Sequence, residues 1–202
     1  MDADDLARAA RLEAMLVEPG LLPKARWGRG PWQREPDYCA WRYAGFHCAA
    51  ARSMDMGHWS AYVGVPGDHP LFGKPHDECV GSCEPESLFC GHRPSDLIDV
   101  VSGITWSGPL SWGPETLWWF GFHYARAWDY MPAIETITAL LHPEFHALRR
   151  DLYREAGWHA RYRSLRFVRR QANHVAVQLR VRPTHAPRWP WPTVVAAVLG
   201  ER

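Results

Sequence analysis

Five side chains that could ligate a metal, His76, Cys79, Cys83, Cys90 and His92, fall within seventeen positions of a turn-rich stretch. Structural zinc takes four sulfur or nitrogen donors in a tetrahedron. Three residues separate Cys79 from Cys83, a spacing suited to a ligand turn, and one residue separates Cys90 from His92, which sets two donors on one side of an extended segment. The expected cofactor is a structural zinc held by Cys79, Cys83, Cys90 and His92 in a loop spanning 76–92. The competing reading is that these cysteines are small buried apolar side chains. Five cysteines, an odd number, fit reduced thiols or a metal site better than a disulfide framework.

A second concentration of chemistry is WWFGFHYARAWDY, Trp118–Tyr130. On a strand, Trp118, Phe120 and Phe122 share one face, and Trp119, Gly121 and His123 the other. One face then belongs to a core. The other, with a glycine gap between a tryptophan and a histidine, suits a flat ligand stacked on rings, with Arg126 meeting a phosphate. His58, His69, His123 and Asp129 form a candidate acid/base group, because imidazole titrates near neutrality. No spacing ties a nucleophile, a base and an orienting residue together, so catalysis is the weaker reading. The expected ligand-binding residues are Trp106, Trp119, His123, Arg126, Asp129, His58 and His69. RSLRFVRR, Arg163–Arg170, puts arginines around a helix, yet no docking motif accompanies it, and the default is a solvated face without a strong nucleic-acid signal.

The elements that must position these residues follow from patterning. Val, Trp, Tyr and Phe make strands of His58–Val65 and Leu117–Phe122, and Leu97–Trp106 reads as two strand pieces bent at Gly103. Asp4–Val17 and Glu144–Ala156 read as helices. Leu165, Val168, Ala172, Val175 and Leu179 follow helical spacing, although Val175, Val177, Leu179 and Val181 also alternate; segment length favours helix. Leu21–Asp37 is expected to be an ordered loop that packs Trp27 and Trp32 back on the body. The expected fold is α+β, a central mainly antiparallel sheet flanked by terminal helices, with many Pro and Gly loops, in one domain over 1–202. The chain has 12 Trp, 17 Pro and 16 Gly, hence many aromatic walls and many turns.

Charge excludes some functions. The 23 Lys and Arg nearly cancel the 22 Asp and Glu, which argues against a global attraction to polyanions or anionic membranes. No apolar run of about eighteen residues appears, and the amino terminus lacks a secretion-signal pattern, so a cytoplasmic, non-membrane protein is expected.

GHWSAYVGVPGDHPLFGK (57–74), IDVVSGITWSG (98–108) and WWFGFHYARAWDY together resemble an uncharacterised family of small proteins from phages, prophages and bacterial mobile elements. Its members carry GYV.VP..HP, then V-H-G-G-[IL]-T-[FYW], then W-W-[FL]-G-F-D-C-A-H-x-G-D. Order and spacing agree over roughly 57–132. Where that pattern has Asp-Cys-Ala-His-x-Gly-Asp, this chain reads His123, Tyr124, Ala125, Arg126, Ala127, Trp128 and Asp129, so only Asp129 keeps its polar identity there. The pattern's earlier histidine has become Ser102 or been lost by shortening. Arginine is neither a base near neutral pH nor, while protonated, a metal ligand. The resemblance therefore implies an accessory protein of a phage or mobile element in a bacterial cytoplasm, binding a host protein or a nucleotide-like ligand without catalysis. The alternatives are a hydrolase acting on a nucleotide or nucleoside, and a structural or assembly component.

Overall fold

The computed structural model describes Ala7, Ala10, Arg11 and residues 14–16, 21–81, 91–111, 116–157 and 159–180. Five strands, β1 (Tyr38–Tyr43), β2 (Phe46–Arg52), β3 (Trp59–Pro66), β4 (Trp106–Gly108) and β5 (Leu117–His123), form one sheet in the order β1-β2-β3-β5-β4. Every neighbouring pair is antiparallel. Two short 3₁₀ helices, Lys24–Arg26 and Pro31–Arg34, precede the sheet, and the α-helices that follow β1 are α1 (Pro94–Leu97), α2 (Pro132–Leu141), α3 (Pro143–Glu155) and α4 (Leu165–Arg180). The fold is α+β.

Alternation decides which residues build the core. Trp59, Ala61, Val63 and Val65 of β3 share a face with Phe120 and Phe122 of β5, and all six are buried. Onto that face α4 lays Val168, Ala172, Val175, Ala176 and Leu179, recurring at three- and four-residue intervals. Each large apolar side chain so buried contributes about 1.5–3 kcal/mol. The opposite face carries one lateral row, Ala40, Ala49, Tyr62, Gly121 and Trp106, crossing all five strands. Tyr62 and Trp106 meet edge to face at 5.8 Å.

The expectations for His58–Val65, Leu117–Phe122 and the final helix agree with β3, β5 and α4 to within a residue or two. Trp27 and Trp32 are buried, as expected for the loop that carries them. Of Asp4–Val17 only Ala7, Ala10, Arg11 and residues 14–16 are described, and the first three are helical. One expectation needs correction. Leu97–Trp106 is not a pair of strands: a turn closes from Gly103 N–H to Val100 O, and pairing begins at Trp106. The β1–β2 hairpin and α2 also extend the fold beyond the expected elements.

A buried charge network fixes the chain that leads into α4. The Arg52 side chain is fully buried; Nε donates to Asp37 (2.9 Å), Nη2 to Glu35 (2.7 Å), and Nη1 to Gly57 O (3.2 Å) and Tyr162 Oη (2.8 Å). Its guanidinium stacks 4.2 Å over the Trp59 ring. Glu35 also accepts from the Tyr162 hydroxyl and from Leu165 N–H (2.9 Å), the first amide of α4. Burial raises the Glu35 pKa, but these donors and Arg52 outweigh it, so its carboxyl lies below the usual value.

Candidate functional site at the end of β5

The segments 57–74, 98–108 and 118–130 meet where β5 ends. Ser60 of β3 pairs with His123, the last residue of β5, which brings His58, just before β3, beside it; the two imidazoles lie 5.9 Å apart between ring centres. The Thr105 hydroxyl, just before β4, sits 2.9 Å from His123 Nδ1. Within this group the burial of His58 decides its charge. Burial first, and His123 second, hold its pKa down to about 4 against the pull of Asp55 and Asp129, so the ring is neutral near pH 7. Its Nδ1 is buried and has no hydrogen-bond partner among the described residues.

Beyond His123 the chain folds into a loop strapped to the segment before α4. Asp129 pairs in parallel with Arg161, and main-chain bonds run from Arg161 N–H to Trp128 O and from Tyr130 N–H to Arg161 O, each 3.0 Å. The Asp129 side chain is buried: Oδ1 accepts from Arg163 Nε (2.8 Å) and Oδ2 from the Arg126 amide (3.2 Å). Arg126 reaches across to Ser102 O and lies 5.6 Å over the Trp128 ring. This strap leaves an open cleft of about 400 Å³ lined by Trp128, Gly157, His159, Arg161 and Arg163. Trp128 is 49% exposed, so a ring face is available at its edge.

Sequence-expected residues separate into three sets. His58, His123, Arg126 and Asp129 come together, with Trp106 on the same sheet face one pair along from His123. Trp119 does not join them: it is 2% exposed in a cluster with Ala49, Leu110 and Leu117, and Gly64 lies so close that an added Cβ would sit 3.0 Å from its ring. The glycine gap at Gly121 is likewise filled, since a Cβ there would meet Tyr62 at 2.9 Å and Trp106 at 3.2 Å. His69 lies past the far end of β3. Its Nδ1 accepts from Leu71 N–H (3.1 Å), which leaves Nε2–H to donate to Leu179 O (2.9 Å) near the end of α4. It is a bracket between a loop and a helix. Thr105, Trp128, Arg161 and Arg163 are absent from the sequence-expected site; Arg163 opens the arginine run read there as a solvated face, and Arg161 lies just before that run.

Of the expected zinc ligands, Cys83 and Cys90 lie outside the described residues. Cys79 is disulfide-bonded, whereas Cys39 and Cys48 are free thiols, so among the described cysteines the expectation of reduced thiols fails at Cys79 only. Among the described residues no group of three His, Cys, Asp or Glu is arranged to hold a metal ion, and no helix is long and apolar enough to cross a membrane. The chain matches no family model, no curated protein and no solved structure.

Proposed function

We propose that this chain is an accessory protein of a phage or mobile element, a divergent member of the family that its middle third resembles, acting in the bacterial cytoplasm by binding rather than by catalysis. Its ligand is nucleotide-like: a flat ring on Trp128 and an anionic group on Arg161 and Arg163. The observation that carries this reading is the cleft, whose 400 Å³ falls within the roughly 300–1,000 Å³ of small-molecule sites and which joins an exposed indole to two guanidiniums. Arginine forks match phosphate oxygens, and indole faces stack on nucleobases. Two guanidiniums beside an exposed indole favour a small aromatic anion over a host protein. Binding without turnover accords with Asp129, whose carboxylate oxygens are both engaged by Arg163 and the Arg126 amide.

Thermal shift and calorimetry with AMP, GMP, CMP and UMP test it. At a hundredfold excess over Kd the ligand stabilises by about 2.7 kcal/mol, a rise in Tm of roughly 5–11 °C. Trp128→Ala removes most of that rise while leaving the unliganded Tm nearly unchanged, because the ring is half exposed. No shift with any nucleotide at millimolar concentration, or an unaltered Kd in Trp128→Ala, overturns the reading. A second reading, hydrolysis, is favoured by the Thr105 hydroxyl held 2.9 Å from His123 Nδ1, the spacing of a nucleophile and its base. Chromatography of nucleotides incubated with the protein separates the two: binding returns them intact, and hydrolysis consumes them in a Thr105-dependent manner.

A further inference from the structure

Beyond the cleft, α4 carries an arginine face that the site does not use. The segment 159–180 contains six arginines and no acidic residue. Arg166, Arg169 and Arg170 line a second open cleft of about 490 Å³ with Glu35, Leu165 and Asn173. Along the chain the two clefts are a single residue apart: Arg163 walls the first, Leu165 and Arg166 the second, with Ser164 between them. Arg163 is held by Asp129, whereas Arg161, Arg166, Arg169 and Arg170 have no ion-pair partner among the described residues. The carboxylate facing the second cleft, Glu35, is already matched by Arg52 and bonded by Tyr162 and Leu165. Arg169 lies 5.0 Å over the Trp41 ring, whose N–H is fixed by Asn173 at 2.8 Å. The result is a basic track with an exposed indole at one end.

We infer that the ligand of this protein is a single-stranded nucleic acid, laid with one base against Trp128 and its phosphates along Arg161, Arg163, Arg166 and Arg170. The inference rests on the nucleotide-like reading of the first cleft and extends it from a mononucleotide to a strand. Three features favour a strand over an acidic peptide. Every cation on the track is arginine, whose planar fork pairs phosphate oxygens and stacks on bases. The wall residue is a tryptophan half exposed, as a stacking platform requires. Residues one helical turn apart, such as Arg166 and Arg170, lie about 5–6 Å apart, close enough to engage successive phosphates.

The test is fluorescence anisotropy with labelled twelve-residue oligo-dT and oligo-rU, a duplex of the same length, a poly-Glu peptide, and TMP and UMP as competitors. The strand is expected to bind at least tenfold tighter than the mononucleotide, with a salt dependence of about −0.7 per phosphate engaged. Arg166→Gln/Arg170→Gln, two exposed positions, weakens the oligonucleotide roughly tenfold or more, the effect of losing charge-assisted bonds. It flattens the salt slope by about 1.4 and leaves mononucleotide affinity unchanged. The control pair is Arg150→Gln/Arg154→Gln on α3, both exposed, which changes neither. Mononucleotide binding with no preference for the strand overturns the track and leaves the cleft reading standing. Oligonucleotide binding that depends on Arg166 and Arg170, without mononucleotide binding, supports the track and overturns the cleft reading. Equal affinity for duplex or poly-Glu, or a double variant no weaker than its control, overturns the inference.

Discussion

Replacing Arg52 by Met keeps an unbranched stem against Trp59 and removes the four hydrogen bonds that join Glu35, Asp37, Gly57 and Tyr162. Removing one partner of a buried ion pair costs about 3–5 kcal/mol. Two features place the cost near the lower end: Asp37 is 38% exposed and keeps Lys24 at 2.7 Å, and Glu35 keeps the Tyr162 hydroxyl and Leu165 N–H. A loss of about 3 kcal/mol lowers the Tm of a chain this size by roughly 6–12 °C. Glu35→Gln costs less alone, and in the Arg52→Met background it costs less again, because the unpaired carboxylate is then gone. The coupling between the two substitutions is about 1–3 kcal/mol. Urea and thermal melts of both singles and the double give that number. The network also holds Tyr162 and Leu165, on either side of Arg163, so Arg52→Met weakens nucleotide binding even well below its Tm. A fall under about 2 °C, or additivity within about 0.5 kcal/mol, refutes the reasoning. The sign with pH follows from Glu35: its folded pKa is below the unfolded one, so its contribution is present above the unfolded value and lost as pH falls through the folded value. Arg52→Met shrinks that acid-side loss.

Three further outcomes are expected. His58 has a folded pKa of about 4 against an unfolded 6.5, so the unfolded chain binds more protons between those values and stability falls as pH drops from 6.5 to 4; after allowance for partial exposure the fall is about 1–3 kcal/mol, and His58→Gln removes it in urea melts at pH 7 and 4.5. An equal fall in the variant contradicts the assignment. Gly121→Ala forces a methyl to 2.9 Å from Tyr62 and 3.2 Å from Trp106, lowering stability by about 1–3 kcal/mol; an unchanged Tm shows that the two rings are not a packed pair. Zinc at Cys79, Cys83, Cys90 and His92 competes with the disulfide for the Cys79 sulfur, so elemental analysis finds metal only in protein kept reduced and free of chelator; its absence there removes the zinc site.

Sequence patterning located what is buried better than what is paired. Ile98, Val100, Ser102 and Ile104 alternate in the sequence and all four are buried, yet none pairs as a strand before Trp106. Period-two burial reports a core-facing edge, and the Val100–Gly103 turn diverts the backbone from the ladder. The β1–β2 hairpin hides for the opposite reason. Its second strand, FHCAAAR, is rich in alanine, a poor strand former, and its turn is Ala44–Gly45 rather than the usual Asn-Gly or Asp-Gly. Pairing with β3, where Ala49 meets Tyr62, supplies what composition withholds. In α2, Ile134, Thr136, Ile137 and Thr138 carry strand propensity, and Pro132 at the first turn with Glu135 behind it sets the helix instead.

The site was legible to the extent that it is local. His58 and Trp106 lie on segments that pattern alone reads as strands, His123 directly follows a third, and Arg126 comes three residues later; that these strands are neighbours is seen only in the sheet order. The cleft arginines are different, because their position depends on Asp129 pairing with a segment more than thirty residues away. That pairing gives Asp129 an architectural role. A carboxylate that is 2% exposed and accepts bonds from Arg163 and the Arg126 amide holds the loop, and with it Trp128, against the entrance to α4. The side chains before Asp129 serve elsewhere: Tyr124 turns into the core beside Phe122 and Phe167, and Arg126 closes on Ser102 O. Asp129 therefore serves the architecture of the loop, and the groups gathered at the cleft, Trp128, Arg161 and Arg163, suit stacking and anions rather than proton transfer.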